Sequence, residues 1–195
     1  MKMLPCKRLA AATLFSGFLM LGFTACESEA DDSKEIAKDQ NEATFEDRDV
    51  EKDADRLVNA ADILQKNIKL GELASSKATS QEVKDLGSKI AKSHAGDLAE
   101  LQTLASGKSI SLPASTTENT KDAYEDLNDK TGMDFDKKYC NKVISSHKDA
   151  IDKMESIEKN AEDADIRAWA TKMLPHLRSH LTSAEAIENK VKDKN

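Results

Sequence analysis

Apolar residues recur every three or four positions in four long stretches, and no segment alternates apolar and polar residues as a half-buried strand does. Leu57, Ala60, Ala61, Leu64, Ile68, Gly71 and Ala74 make one stripe over 54–76. Val83, Leu86, Ile90, Leu98, Leu101 and Ala105 make a second, opened by the start signal Thr79-Ser80 with Glu82 and closed by Gly107. Phe135, Tyr139, Val143, Ile144, Ala150, Ile151, Met154 and Ile157 make a third over 134–160. Ile166, Trp169 or Ala170, Met173, Leu177, Ala184, Ile187 and Val191 make a fourth over 163–191, where Pro175 removes one rung of the hydrogen-bond ladder and is expected to kink the helix. The pattern predicts an all-α domain.

The connections order these helices. The first and second are joined by a short turn, as are the third and fourth, which makes two antiparallel hairpins. Between the hairpins runs a long crossover with a short helix over 118–129. That arrangement predicts a ferritin-like four-helix bundle over 54–192.

Ahead of the bundle the composition changes twice. Lys2, Lys7 and Arg8 precede an apolar run, Leu9 to Ala25, too short to span a bilayer comfortably. The segment Leu21-Gly22-Phe23-Thr24-Ala25-Cys26 resembles a bacterial lipobox, so 1–25 is expected to be a lipoprotein signal peptide and Cys26 the acylated residue. Several acyl chains on one residue give stable anchorage, at ~0.8 kcal/mol for each buried methylene. Residues 27–53 then carry twelve acidic and four basic side chains, with Ile36, Phe45 and Val50 as their sizeable apolar residues. This composition predicts an acidic disordered tether over 26–53, although its later part lacks Pro and Gly and has the makings of a helix. The acids just after Cys26 also resemble the signal by which some Gram-negative bacteria export lipoproteins to the surface; the other reading is a solvated spacer.

Loss of Lys2, Lys7 and Arg8 with the signal moves the formal charge from −7 to −10. So acidic a protein is not expected to bind nucleic acid. Of the three cysteines, Cys6 leaves with the signal and Cys26 takes the lipid, which leaves Cys140 without a disulfide partner.

The candidate chemistry lies in the histidines. His94, His147 and His180 fall inside the second, third and fourth apolar stripes, each near mid-helix, and Asn67 holds the matching place on the first. Helix midpoints converge in such a bundle, so three neutral imidazoles can gather round one Zn²⁺, Cu²⁺ or Fe²⁺ ion. His176 and His180, four residues apart, offer a second grip on one helix. Asn67 and Tyr139 are candidates to support the ligands. The chain has no Glu-x-x-His, which argues against a ferritin-type di-iron oxidase. The alternative is that the histidines hydrogen-bond one another, Asn67, Tyr139 or serine hydroxyls and fix the register of the bundle. Cys140 reads as a small buried hydrophobe.

Five blocks carry a family resemblance: Lys69-Leu70-Gly71-Glu72-Leu73-Ala74, Ser93-His94, Gly132-Met133-Asp134-Phe135-Asp136-Lys137-Lys138-Tyr139, His147 with Ala150, and Leu174-Pro175-His176-Leu177-Arg178-Ser179-His180-Leu181. In order and spacing they resemble the family catalogued as domain of unknown function 4142, over about residues 54–190. The resemblance implies a ferritin-like helical bundle, usually in bacterial envelope proteins, with no settled activity. His94, His147 and His180 match its pattern, and His176 stands where it varies. Asn67 replaces a frequent acid, and Ser93 and Ser146 replace aspartates.

The expected protein is a lipid-anchored component of the bacterial envelope, in the outer membrane on its periplasmic or surface face. It meets the membrane through Cys26 and has an envelope protein as a candidate partner. Its role is expected to be binding or structural, and stress-related, rather than catalytic. The competing expectation is a metal-binding or metal-dependent redox bundle built on the core histidines, with one transition-metal ion as cofactor.

Overall fold

Most of the helices begin where a side chain satisfies their free amides. The computed structural model describes residues 32–192 and contains, among them, six helices and no strand. These are α1 (Ser33–Thr44), α2 (Arg48–Lys77), α3 (Gln81–Gly107), α4 (Glu118–Asn128), α5 (Gly132–Asn160) and α6 (Ala164–Lys192). Asp32, Asp47 and Thr117 cap α1, α2 and α4 with their own side chains. Asp163 accepts the amides of Asp165 and Ile166 at the start of α6. Gly132 opens α5 at φ +58°, a conformation that favours a residue with no Cβ. α6 is continuous across Pro175.

The disordered tether is corrected from Asp32 onward. α1 buries Ala37 and Asn41, and α2 starts six residues before the expected boundary. Asn41 accepts the Ser111 amide at 2.7 Å and donates to the Ser111 carbonyl at 3.0 Å. Asp32 accepts the Glu118 amide, and Lys34 pairs with Asp62 of α2 at 3.3 Å. Composition predicted disorder because the segment has little apolar surface. Hydrogen bonds to the crossover and to α2 hold it instead, and these partners are distant in sequence. The signal peptide, Cys26 and the rest of 1–31 lie outside the described residues.

α2 and α3 pack along each other as one hairpin, and α5 and α6 as another. The first hairpin closes tightly, because a Cβ on Gly71 would lie 2.7 Å from the Gly87 carbonyl oxygen, and one on Gly87 would lie 2.7 Å from that of Gly71. The hairpins meet through α3 with α6 and α2 with α5, and α4 rests on α2 and α5. Two carboxylates tie them together. Asp136 of α5 accepts the amides of Thr79 and Ser80 in the α2–α3 turn, at 2.9 and 2.7 Å. Asp53 of α2 accepts the amide of Asp163 in the α5–α6 turn at 2.9 Å.

The core falls into two apolar clusters. One gathers Leu57, Leu64, Leu101, Met154, Trp169 and Leu177, and the other Leu70, Leu86, Ile90, Phe135, Val143 and Ala184. On every long helix a buried polar residue marks the boundary between the two: Asn67 on α2, His94 on α3 with Asp97 one turn beyond, His147 on α5 and His180 on α6. A polar layer thus cuts the bundle across its middle.

Candidate metal centre

The three imidazoles of this layer converge. Their ring centroids lie 5.0–5.5 Å apart, and one nitrogen from each lies within 4.8 Å of the others. His94 and His147 are the close pair, Nε2 to Nε2 at 3.3 Å.

What faces what is set by the other ring nitrogens. His94 Nδ1 donates to the Asp97 carboxylate at 3.1 Å. His147 Nδ1 donates to the Val143 carbonyl at 3.0 Å, one turn back on its own helix. In the neutral tautomers that these bonds fix, each ring spends its one N–H on that partner and turns its Nε2 lone pair toward the other ring. Burial, and then the neighbouring His94 and His180, push His147 down to about 3, so it is uncharged at neutral pH. Burial and His94 likewise push His180 down to about 4. Two lone pairs aimed at each other repel, and a positive charge between them makes the contact attractive. The spacing suits a cation, since ligand nitrogens of a tetrahedral ion with bonds of about 2.0–2.1 Å stand ~3.3 Å apart. His180 Nδ1 is buried with no hydrogen-bond partner among the described residues.

Asp97 was not among the residues the sequence pointed to. It is buried on α3 and bridges His94 to His176, whose Nδ1 also donates to it at 3.1 Å. Burial alone would raise its pKa, but the hydrogen bonds and charges of His94 and His176 hold it below the ordinary carboxylate value, so it is ionised. The available signal was spacing: Ile90, His94, Asp97 and Leu101 share one face of α3, with an acid three residues after the histidine. A metal-binding imidazole commonly sends its other N–H to a carboxylate or carbonyl, which fixes its tautomer. His94 and His147 both do so.

The remaining candidates sort plainly. His176 is half-exposed and joined to Asp97, outside the group of three. Asn67 Oδ1 accepts the Ser146 hydroxyl at 2.9 Å, and that hydroxyl lies 3.3 Å from His147 Nδ1, so Asn67 stands beside the centre. The Tyr139 hydroxyl is buried with no hydrogen-bond partner among the described residues and does not support the histidines. Burial, and then Asp136 and Glu188, push the Cys140 thiol up to about 12, so it is an unreactive core residue. No described helix is long and apolar enough to cross a membrane.

The family model described as Domain of unknown function (DUF4142) matches residues 37–187, which include all four histidines, Asp97 and most of α1. The chain belongs to the DUF4142 family. No curated protein and no solved structure matches it. The DUF4142 match begins inside α1, in agreement with a folded unit that starts before the expected boundary at 54.

Proposed function

We propose that this DUF4142 protein is a metal-binding bundle of the ferritin-like four-helix type, holding a single divalent transition-metal ion through His94, His147 and His180. The observation that carries the reading is the pair of facing Nε2 atoms at 3.3 Å, each ring held by a hydrogen bond on its far side. An imidazole layer in the middle of an apolar core also costs desolvation that leucines in the same places would not. Three neutral nitrogens without a carboxylate suit Zn²⁺ and Cu²⁺, and a three-ligand shell leaves a fourth position for water or a small ligand.

The lipobox-like segment ending at Cys26 supports an envelope protein anchored in the outer membrane by its lipid. On that reading the site works outside the cytoplasm.

The test is metal content. Untagged protein lacking only residues 1–26 is exposed in turn to zinc, copper and iron, desalted and analysed. Near-stoichiometric retention of zinc or copper is expected, lost in His147→Ala with the helical content kept. Absence of retention with every metal would leave the histidines as polar core residues, and the protein a structural or binding bundle. Labelled palmitate incorporation, lost in Cys26→Ala, tests the anchor.

A further inference from the structure

We propose that the cleft between α2 and α5 is a binding site for a small aliphatic carboxylate. The cleft has a volume of about 450 Å³, within the range of ordinary small-molecule sites. Ile63 and Leu70, two turns apart on α2, give it an apolar wall. Between them on the same helix stand Lys66 and Asn67.

The charges there leave one cation over. Lys142 pairs with Asp126, and Asp149, also on the lining, pairs with Lys153. Lys66 has no ion-pair partner among the described residues. The next residue, Asn67, is 3% exposed and spends its Oδ1 on the Ser146 hydroxyl, while its Nδ2 has no acceptor among the described residues. A buried amide donor without an acceptor is costly, and such groups mark where a partner belongs. An unpaired ammonium and an orphan amide on the lining of one cleft call for an oxyanion that accepts from both. The flanking Ile63 and Leu70 call for a hydrocarbon body attached to it.

The cleft is separate from the histidine centre and does not depend on a metal. Ser146 nonetheless lines the cleft, donates to Asn67 and lies 3.3 Å from His147 Nδ1, so an occupant that draws on Asn67 is linked through Ser146 to a candidate ligand.

The experiment is a titration of the ¹⁵N-labelled full chain with sodium hexanoate at constant ionic strength, following the Asn67 side-chain amide by NMR. Sodium phosphate and sodium chloride serve as parallel arms. A saturable shift of the Asn67 amide with hexanoate is expected, weakened about tenfold in Lys66→Gln, as loss of one charge-assisted hydrogen bond implies. Hexanoate is expected to bind the metal-free protein as well, so failure of the metal reading leaves this one standing. An Asn67 signal that does not move, or one that moves equally in Lys66→Gln, overturns the proposal. So does phosphate acting as strongly as hexanoate, because the apolar wall would then play no part.

Discussion

Asp97 and His94 lie three residues apart on one turn of α3, and the Asp97 carboxylate accepts the His94 Nδ1 hydrogen at 3.1 Å in a buried setting. The contact does two things. It fixes the ring's orientation, with Nδ1–H on the carboxylate and Nε2 toward His147, and it places a negative charge behind the ring, which makes Nε2 a better donor to a cation. Asp97→Asn keeps an oxygen acceptor but removes the charge. Zinc affinity, measured by competition with a chelator, is therefore expected to fall about 10- to 100-fold with little change in helical content.

Acid should loosen the fold before ordinary carboxylates titrate. In the folded chain His147 and His180 take protons near 3 and 4, against an ordinary value of 6.5. The unfolded chain therefore binds more protons in this window, and the stabilising contribution of the neutral rings is lost as pH falls below about 6.5. The slope is about 1.4 kcal/mol per pH unit for each histidine down to about pH 4. Urea unfolding of the metal-free protein at several pH values across that window measures it. His147→Leu should halve the slope, and a flat profile would show that the rings are not held neutral.

The Gly71–Gly87 contact distinguishes space from helix propensity. A methyl at Gly71 would meet a backbone oxygen at 2.7 Å, and backbone cannot swing aside, so Gly71→Ala is expected to cost about 1–3 kcal/mol. Gly96, on the same hairpin, has nothing within 4 Å of its would-be Cβ. Gly96→Ala should gain about 0.5–1 kcal/mol from propensity alone. Thermal unfolding of the two variants should shift in opposite directions.

Asn41 is the rivet between α1 and the crossover. Asn41→Ala leaves both the amide and the carbonyl of Ser111 without their protein partner, and a cost of about 1–3 kcal/mol is expected. Hydrogen exchange should rise first at Ser111 and along α1, and the signals of the histidine layer should stay in place.

How much of this was visible in the sequence depends on the range of the interaction. Helix periodicity is local, so the spans from Leu57 to Val191 were legible, as was the convergence of His94, His147 and His180, which follows from their mid-helix positions. α1 was not legible as packed structure, because Asn41 is held by Ser111, seventy positions away, and not by an apolar stripe. Asp97 was missed for a different reason. An acid in an apolar face looks like an interruption until the histidine beside it is seen to need an acceptor, and His176 joins the same carboxylate from another helix.

The two carboxylates that tie the hairpins have a consequence for cooperativity. Asp136 serves the turn of the α2–α3 hairpin and Asp53 that of the α5–α6 hairpin, so each pair of helices is finished by a side chain belonging to the other. Either pair alone would have a frayed turn with unanswered amides, and would carry an aspartate without its amide partner. Neither half is therefore an independent folding unit. The bundle should form and melt in one step, and the histidines should come together at the same moment as the two ends are sealed.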